Sequence, residues 1–336
     1  MKIIIAHTKE GENAEFVYKA FEAGALSHGD TCVHVEHLRD LHKIRDADVV
    51  FQVSYPFIAH RYVFCDEFGN RRPNIEDRLT RSPINDFRVG VFEEAIKNKK
   101  RLLSLDSGLL NFRRRENKNY YQISFDSIKN LGKYYNQNSP ADRFNALDIE
   151  IKPWKKDGGK DLLVFGQVYF GVGSQHVDIR KWQKIWMLEY LTKKGRRPIT
   201  FSGHPNNPEE YKNDTKLGKT RVIKFSKSKH FKDDFQNSVL AMTFCSHVIA
   251  ECVVEGLPTY CYSKTSMGWP LFGATTVEEA LTPKFPDREQ WLYDMAYTQW
   301  HTQELENGTA WAHYRPHALK TEDVNWEGML QPVCLT

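Results

Sequence analysis

The sequence predicts an α/β protein with two open parallel β-sheets in tandem, each covered by helices. Three observations carry that expectation. The chain has 336 residues, more than one ordinary core holds and suited to two α/β domains of roughly 100–200 residues each. Short β-branched runs alternate with longer segments of helical period, joined by brief connections, the pattern of strand–helix–strand units. The same alternation restarts after residue 150, following the polar, Gly-containing stretch Asp157-Gly158-Gly159-Lys160. Hydrophobic residues make up 40% and charged residues 27%, a balance that fits a folded globule and excludes a disordered chain.

The elements follow in order. Ile3 to Ala6 reads as a first strand. From Glu12 to Leu26 the apolar positions Phe16, Val17, Ala20, Phe21 and Ala25 have helical spacing, and Gly29 is a natural stop. Thr31–Val35 and Asp48–Val53 are the next strands. From Tyr55 to Asp86, three prolines, a glycine and many charges break the pattern and predict a long loop or insertion. A helix over Val89–Lys99 and a strand over Arg101–Leu105 resume it, and the strand runs into Asp106-Ser107-Gly108. Residues 113–160 show no clear period, which places a domain boundary at 150.

In the second half, strands are expected at Leu162–Gly166, Pro198–Ser202, Arg221–Phe225 and Thr259–Tyr262, with another in the helix–strand unit Ser238–Phe244. Helices are expected at Asp178–Lys194 and His247–Glu255. The expected division is 1–150, 151–320 and a tail at 321–336. The Trp-rich C-terminal part, from Asp287, reads as helical. Its Trp291, Leu292, Met295 and Trp300 suit a core better than a sugar platform, and a long helix crossing back onto the first domain would bury them.

No run reaches the roughly 18 apolar residues that span a bilayer. The start, Met1 to His7, is too short for a leader and reads as strand, so a cytoplasmic location and no membrane partner are expected. The six cysteines form no CxxC pair and no Cys/His zinc spacing, so the expected metal set is none. Reduced, buried thiols are the reading; a nucleophilic Cys245 beside Ser246 and His247 is the alternative. The net charge of +4 says less than its distribution. Basic clusters include Arg71-Arg72, Arg113-Arg114-Arg115, Lys193 to Arg197 and Lys224 to Lys232, interleaved with aromatics. They fit either a polyanion partner or an ordinary solvated surface.

Ligands of open parallel sheets bind beyond the carboxyl ends of the strands, which singles out four motifs. Phe165-Gly166-Gln167 through Gly171-Val172-Gly173-Ser174 lies between a strand and a helix, where glycines admit a phosphate to backbone amides; a plain turn is the alternative. Phe201-Ser202-Gly203-His204-Pro205 places His204 at a strand end, as a donor to a phosphate or as a structural histidine. In Thr243 to Glu251, Ser246 and His247 open a helix and Glu251 follows within two turns, as a phosphate site and a ribose chelator or as an N-cap and a surface carboxylate. Asp106 closes a first-domain strand, as a base for an attacking hydroxyl or as a turn residue capping Gly108. Asp66 and Glu67 are the next choices for the base.

The order Gly-rich loop, His-Pro, Ser-x4-Glu, Gly-x-Pro resembles the donor domain of GT-B glycosyltransferases. The His-Pro and Ser elements are similar to those with which bacterial sialyl- and Kdo-type transferases hold a nucleotide phosphate. From Tyr120 to His313 the chain is more similar to a group of phage-encoded glycosyltransferases. The marks are Ser139-Pro140-Ala141-Asp142-Arg143, Lys152-Pro153-Trp154, Gly173-Ser174, Arg197-Pro198-Ile199 with His204-Pro205, Ser266-Met267-Gly268-Trp269-Pro270, and the Trp-bearing stretches from Asp287 to Trp311.

The resemblance implies a GT-B fold: two Rossmann-like domains facing a cleft, with a C-terminal crossover helix. It implies transfer of arabinose or glucose from a nucleotide sugar, a UDP-sugar foremost, to hydroxymethylcytosine in double-stranded DNA. Magnesium is optional. On this reading Gly173, Ser174, His204, Ser246, His247 and Glu251 bind the donor, Asp106 is the base, and Arg71, Arg72, Arg113, Arg114 and Arg115 bind DNA. Relatives often carry Arg before His-Pro where this chain has Ser202-Gly203, which leaves Arg197, Lys224 or Lys227 to supply the charge. A polysaccharide or lipid acceptor, a DNA-binding protein without activity, and a nucleotide-sugar epimerase are the competing readings.

Overall fold

The fold comes from a computed structural model. It describes residues 1–7, 12–56, 64–65, 71–72, 83–110, 119–167, 197–204, 215–217, 221–228 and 230–329, with single positions between 179 and 190. The chain forms two compact units. Unit 1 consists mainly of Met1–Cys65, Gly69–Arg143 and Trp291–Cys334; unit 2 is mainly Phe144–Gln290.

The strands of unit 1 are β1 (Lys2–Ala6), β2 (Thr31–Val35), β3 (Val49–Val53), the short pair β4 (Phe64–Cys65) and β5 (Arg71–Arg72), β6 (Arg101–Ser107) and β7 (Tyr120–Phe125). Unit 2 supplies β8 (Asp161–Phe165), β9 (Ile199–Ser202), β10 (Thr215–Leu217), β11 (Arg221–Phe225), β12 (Ser238–Thr243) and β13 (Thr259–Cys261). The chain then returns to unit 1 as β14 (Gln299–His301).

The unit 1 sheet has the order β14-β7-β6-β3-β1-β2. Strands β2, β1, β3 and β6 are parallel, whereas β7 runs antiparallel to β6 and to β14. The central strands are apolar on both faces, as burial by helices on each side requires: Ile3, Ile4, Ile5, Val49, Val50 and Phe51 are fully buried. Helix α1 (Glu12–Ser27) lays Val17, Phe21 and Ala25 against Ile3, Ile5 and Phe51. Gly29, at φ 75°, ends it in the left-handed conformation that suits glycine. Helix α2 runs over Pro83–Lys97, starting inside the stretch expected to be irregular.

The C-terminal return completes this core. Trp300, Leu305, Trp311 and Tyr314 pack in the same cluster as Phe21 and Phe51. Trp311 donates its indole N–H to buried Asp30 (2.7 Å), which also accepts from Arg315. Arg143 grips Glu304 with both terminal nitrogens (2.5 and 2.9 Å) and lies 4.1 Å over the Trp300 ring. In unit 2, Arg288 stacks 3.7 Å over Trp154, whose N–H donates to the Pro286 carbonyl. Two of the family-like motifs, around Arg143 and Trp154, therefore tie sequence-distant segments together.

These contacts correct three expectations. The compact units part at Arg143 and Phe144, where 150 was expected. Residues 291–320, expected in the second domain, belong to unit 1 because their tryptophans fill its core. In place of one long crossover helix the return is built from Glu289–Ala296, β14, Thr302–Glu306 and Thr309–Tyr314.

The return also carries a pH response. His313 donates its Nε2 hydrogen to the Tyr134 carbonyl (2.8 Å). Burial holds its pKa below the ordinary 6.5; the Tyr134 bond opposes the shift and nearby Arg143 adds to it. Burial acts the same way on His7 and His317. The unfolded chain then takes up protons near pH 6.5 that the folded chain takes up only at lower pH. Stability is therefore full above pH 6.5 and falls as pH drops below it. Thermal unfolding followed through that window should show the loss, and His313→Gln should reduce it. An equal loss in the variant would remove His313 from the account.

The unit 2 sheet has the order β10-β11-β9-β8-β12-β13. All neighbours are parallel except β10 with β11. The chain starts at β8, steps outward through β9 and β11, then crosses back to β12 on the other side of β8. A reversal of this kind opens a crevice at the carboxyl ends of the two strands flanking it.

Candidate functional site

In unit 2 that reversal lies between β8 and β12, and of the predicted donor residues His204 follows β9 while Ser246, His247 and Glu251 follow β12. Gln167, two residues past β8, is buried and reaches across to the end of β12. Its Oε1 accepts from the Cys245 amide (3.0 Å), and its Nε2 lies 2.9 Å from the Cys245 sulfur. Ser246 follows directly. Its amide donates to Thr243 Oγ1 (3.2 Å), and its own hydroxyl accepts from the Val248 amide (3.3 Å). His247 stands at the N-cap of the helix Val248–Val254.

Glu251 lies in that helix with its carboxylate 3.4 Å from Lys232 Nζ; Lys232 also pairs with Glu255 at 3.1 Å. Glu251 is therefore already held by a cation, and a ribose would share or displace that contact. On the other side of β8, Gly203-His204 follows β9. A Cβ at Gly166 would come within 3.0 Å of the His204 amide nitrogen, so the glycine lets the two strand ends close up. Lys224, a candidate for the missing charge, lies 3.8 Å from Asp161.

A loop not given a role by its sequence borders this edge. Ser263, Thr265 and Ser266 follow β13. The Ser263 and Thr265 hydroxyls bond at 2.7 Å, and the Ser266 hydroxyl accepts from the Gly268 amide. A Cβ on Gly268 would run into the Ile249 side chain. Glycine there lets the loop rest on the first turn of the Val248–Val254 helix, beside Ser246.

In unit 1, Asp106 sits one residue before the end of β6, partly exposed. Its Oδ1 accepts from the Ser107 amide (2.8 Å), a local bond at the end of the strand that leaves Oδ2 for other use. Unit 1 has its own reversal, with β2 and β3 on opposite sides of β1. His7 follows β1 at that point. Its ring stacks on buried Tyr18 with centroids 4.0 Å apart, and Nδ1 is 3.8 Å from Glu15. Burial favours the neutral imidazole, and Glu15 opposes it. Nothing in the sequence singles out His7, because the strand order that makes its position special is set by pairing between distant segments.

The remaining candidates are less defined. Arg71 and Arg72 form β5, paired with β4 in a two-stranded ribbon. Gly173, Ser174, Arg113, Arg114 and Arg115 lie outside the described residues, as do Asp66 and Glu67. Cys245, Cys252 and Cys261 are buried and in no disulfide; burial pushes the Cys261 thiol up to about 12, against a nucleophilic role for it. Among the described residues no group of three or more His, Cys, Asp or Glu side chains could hold a metal ion. No described helix is long and apolar enough to cross a membrane.

No protein-family model matches the chain, and no curated protein matches it by sequence. Solved structures do share its fold. The β-Kdo 2,7-transferase of Thermosulfurimonas dismutans KpsC aligns with a TM-score of 0.51 at 10% identity, covering 93% of this chain and 99% of that one. The β-Kdo 2,4-transferase of the same protein aligns with a TM-score of 0.51 at 12% identity, covering 88% and 90%. At such identities the likeness is one of fold. With a largely parallel, Rossmann-like sheet in each of its two units, the chain has the α/β fold of the GT-B type.

Proposed function

We propose that the chain is a glycosyltransferase that takes a sugar from a nucleotide donor, a UDP-sugar foremost, held at the carboxyl edge of the unit 2 sheet. The observation that carries this reading is the β8/β12 reversal, with Gln167, Ser246, His247 and His204 on the strand ends around it. In this reading Ser246, His204 and the Gly173-Ser174 amides stabilise the charge on the departing nucleotide phosphate. Glu251 binds the ribose. Asp106 takes the proton of the acceptor hydroxyl as its oxygen bonds to the anomeric carbon and the bond from that carbon to the phosphate oxygen breaks.

The proposed acceptor is hydroxymethylcytosine in double-stranded DNA, and the proposed sugar arabinose or glucose. Support comes from the family resemblance and the basic clusters of the sequence. Arg71, Arg72 and Arg113 to Arg115 would meet the phosphate backbone. A cytoplasmic location follows from such a role. The Kdo-transferase likeness keeps a polysaccharide acceptor as the second reading. One experiment separates them: mass spectrometry of hydroxymethylcytosine duplex DNA incubated with the protein and a panel of nucleotide sugars, with unmodified DNA as control. A pentose or hexose mass gain on the modified base is expected. Donor hydrolysis without that gain would remove DNA and favour the second reading.

A further inference from the structure

The face of the unit 1 sheet opposite α1 carries a row of buried polar side chains. On β3, β6, β7 and β14, Phe51, Leu103, Leu105, Ile123 and Trp300 point into the core shared with α1. Alternation sends their neighbours Gln52, Ser104, Gln122 and Gln299 to the other face. Register places them in two offset pairs: Gln52 lies opposite Ser104, and Gln122 lies opposite Gln299, with Asp106, two residues beyond Ser104 on β6, on the other side of Gln122. Gln52 and Asp106 lie toward the carboxyl ends of β3 and β6, the end at which such sheets bind ligands.

Gln52, Ser104 and Gln299 are 0% exposed and Gln122 1%. Each nevertheless keeps one polar atom with no hydrogen-bond partner among the described residues: Gln52 Oε1, Ser104 Oγ, Gln122 Oε1 and Gln299 Nε2. The amide orientations are fixed by their other ends. Gln52 Nε2 donates to the Ser54 carbonyl, and Gln299 Oε1 accepts from the Leu110 amide. Thr298 Oγ1 donates to the Met295 carbonyl, so it can only accept from Gln122 Nε2. Four unmet buried groups would rival the net stability of a domain, so something satisfies them.

Their chemistry says what. The four side chains present two carbonyl oxygens, one amide N–H and one hydroxyl, none of them charged, so they offer no countercharge to a phosphate or carboxylate. A partner must both donate and accept. Adjacent strands lie about 4.8 Å apart, a gap that one oxygen bridges with two hydrogen bonds of about 2.8 Å. We propose that this seam binds uncharged hydroxyl groups: water along its buried length and, where partly exposed Asp106 lies opposite Gln122, a hydroxyl of the acceptor. The acceptor half rests on the glycosyl-transfer reading; the seam itself does not.

Ser104→Ala tests the seam by the sign of a thermal shift. Loss of a hydroxyl that holds water lowers the melting temperature, by about 2–4 °C for a domain of this size. Loss of a hydroxyl that is merely unsatisfied raises it. A rise or no change overturns the seam, whatever the enzyme does. Gln122→Met tests the acceptor half. Transfer to hydroxymethylcytosine DNA should fall about tenfold or more, a loss of one good hydrogen-bonded contact, while donor hydrolysis to water persists. Unchanged transfer overturns the acceptor half. Absence of both activities in the wild-type protein would instead count against the glycosyl-transfer reading and leave the Ser104 result standing.

Discussion

Asp106→Asn is expected to lower sugar transfer by about 10²–10⁴-fold, the usual weight of a positioned general base, while nucleotide binding is retained. The substitution separates the two roles that the sequence leaves open. Asparagine keeps a side-chain oxygen that can accept from the Ser107 amide, so the 2.8 Å bond at the strand end survives. Only the capacity to take a proton is lost. If Asp106 merely shapes the turn, turnover and melting temperature both stay at wild-type values. Steady-state kinetics with a separate nucleotide-binding titration reads the difference. Loss of nucleotide binding along with turnover would place Asp106 outside the role of base.

Arg101→Met is expected to destabilise unit 1 by about 3–5 kcal/mol, the usual effect of removing one partner from a buried ion pair. Arg101 is 1% exposed. It donates from Nε (3.0 Å) and Nη2 (2.5 Å) to the same oxygen of Asp126, and lies 4.1 Å over the Phe125 ring. Its remaining nitrogen reaches Tyr135 and the carbonyls of His317 and Lys320. One side chain thus joins β6, the turn after β7 and the C-terminal return. Burial already pushes the Asp126 carboxyl upward, and Arg101 pulls it back only in part. Without the arginine, Asp126 protonates or unfolds its surroundings. Denaturant unfolding should show the loss, and Arg101→Met with Asp126→Asn should recover part of it. A single-variant loss below about 1 kcal/mol would mean that the pair is solvated after all.

The parallel strands were legible where local pattern alone decides. Ile3 to Ile5 and Val49 to Phe51 are continuous apolar runs that only a doubly covered sheet accommodates. Gly29 marked the end of α1 because a left-handed residue was needed there. Strands β7 and β14 escaped because their identity depends on partners far away: Tyr120 to Gln122 pair with Gln299 to His301. Trp300 was read as part of a helix with Trp291 and Met295, although its burial was anticipated. The places of His204 and Ser246 just past β9 and β12 were legible because glycine, serine and histidine there interrupt apolar strands. Gln167, though inside the Gly-rich motif, showed no sign of its bond to Cys245, and His7 carried no signal. Their places come from sheet order, which a single sequence does not display. The row from Gln52 to Gln299 was hidden for the same reason, since its members are aligned only by register.

The central claim is that this fold turns over a nucleotide sugar. It is tested most directly by incubating the full chain with UDP-glucose, UDP-arabinose and other nucleotide sugars, and measuring release of the nucleotide by phosphorus NMR. The account predicts slow release from at least one donor, acceleration by the acceptor, and loss of both in a Ser246→Ala, His204→Ala double variant. No release from any donor, with and without hydroxymethylcytosine DNA, would contradict it.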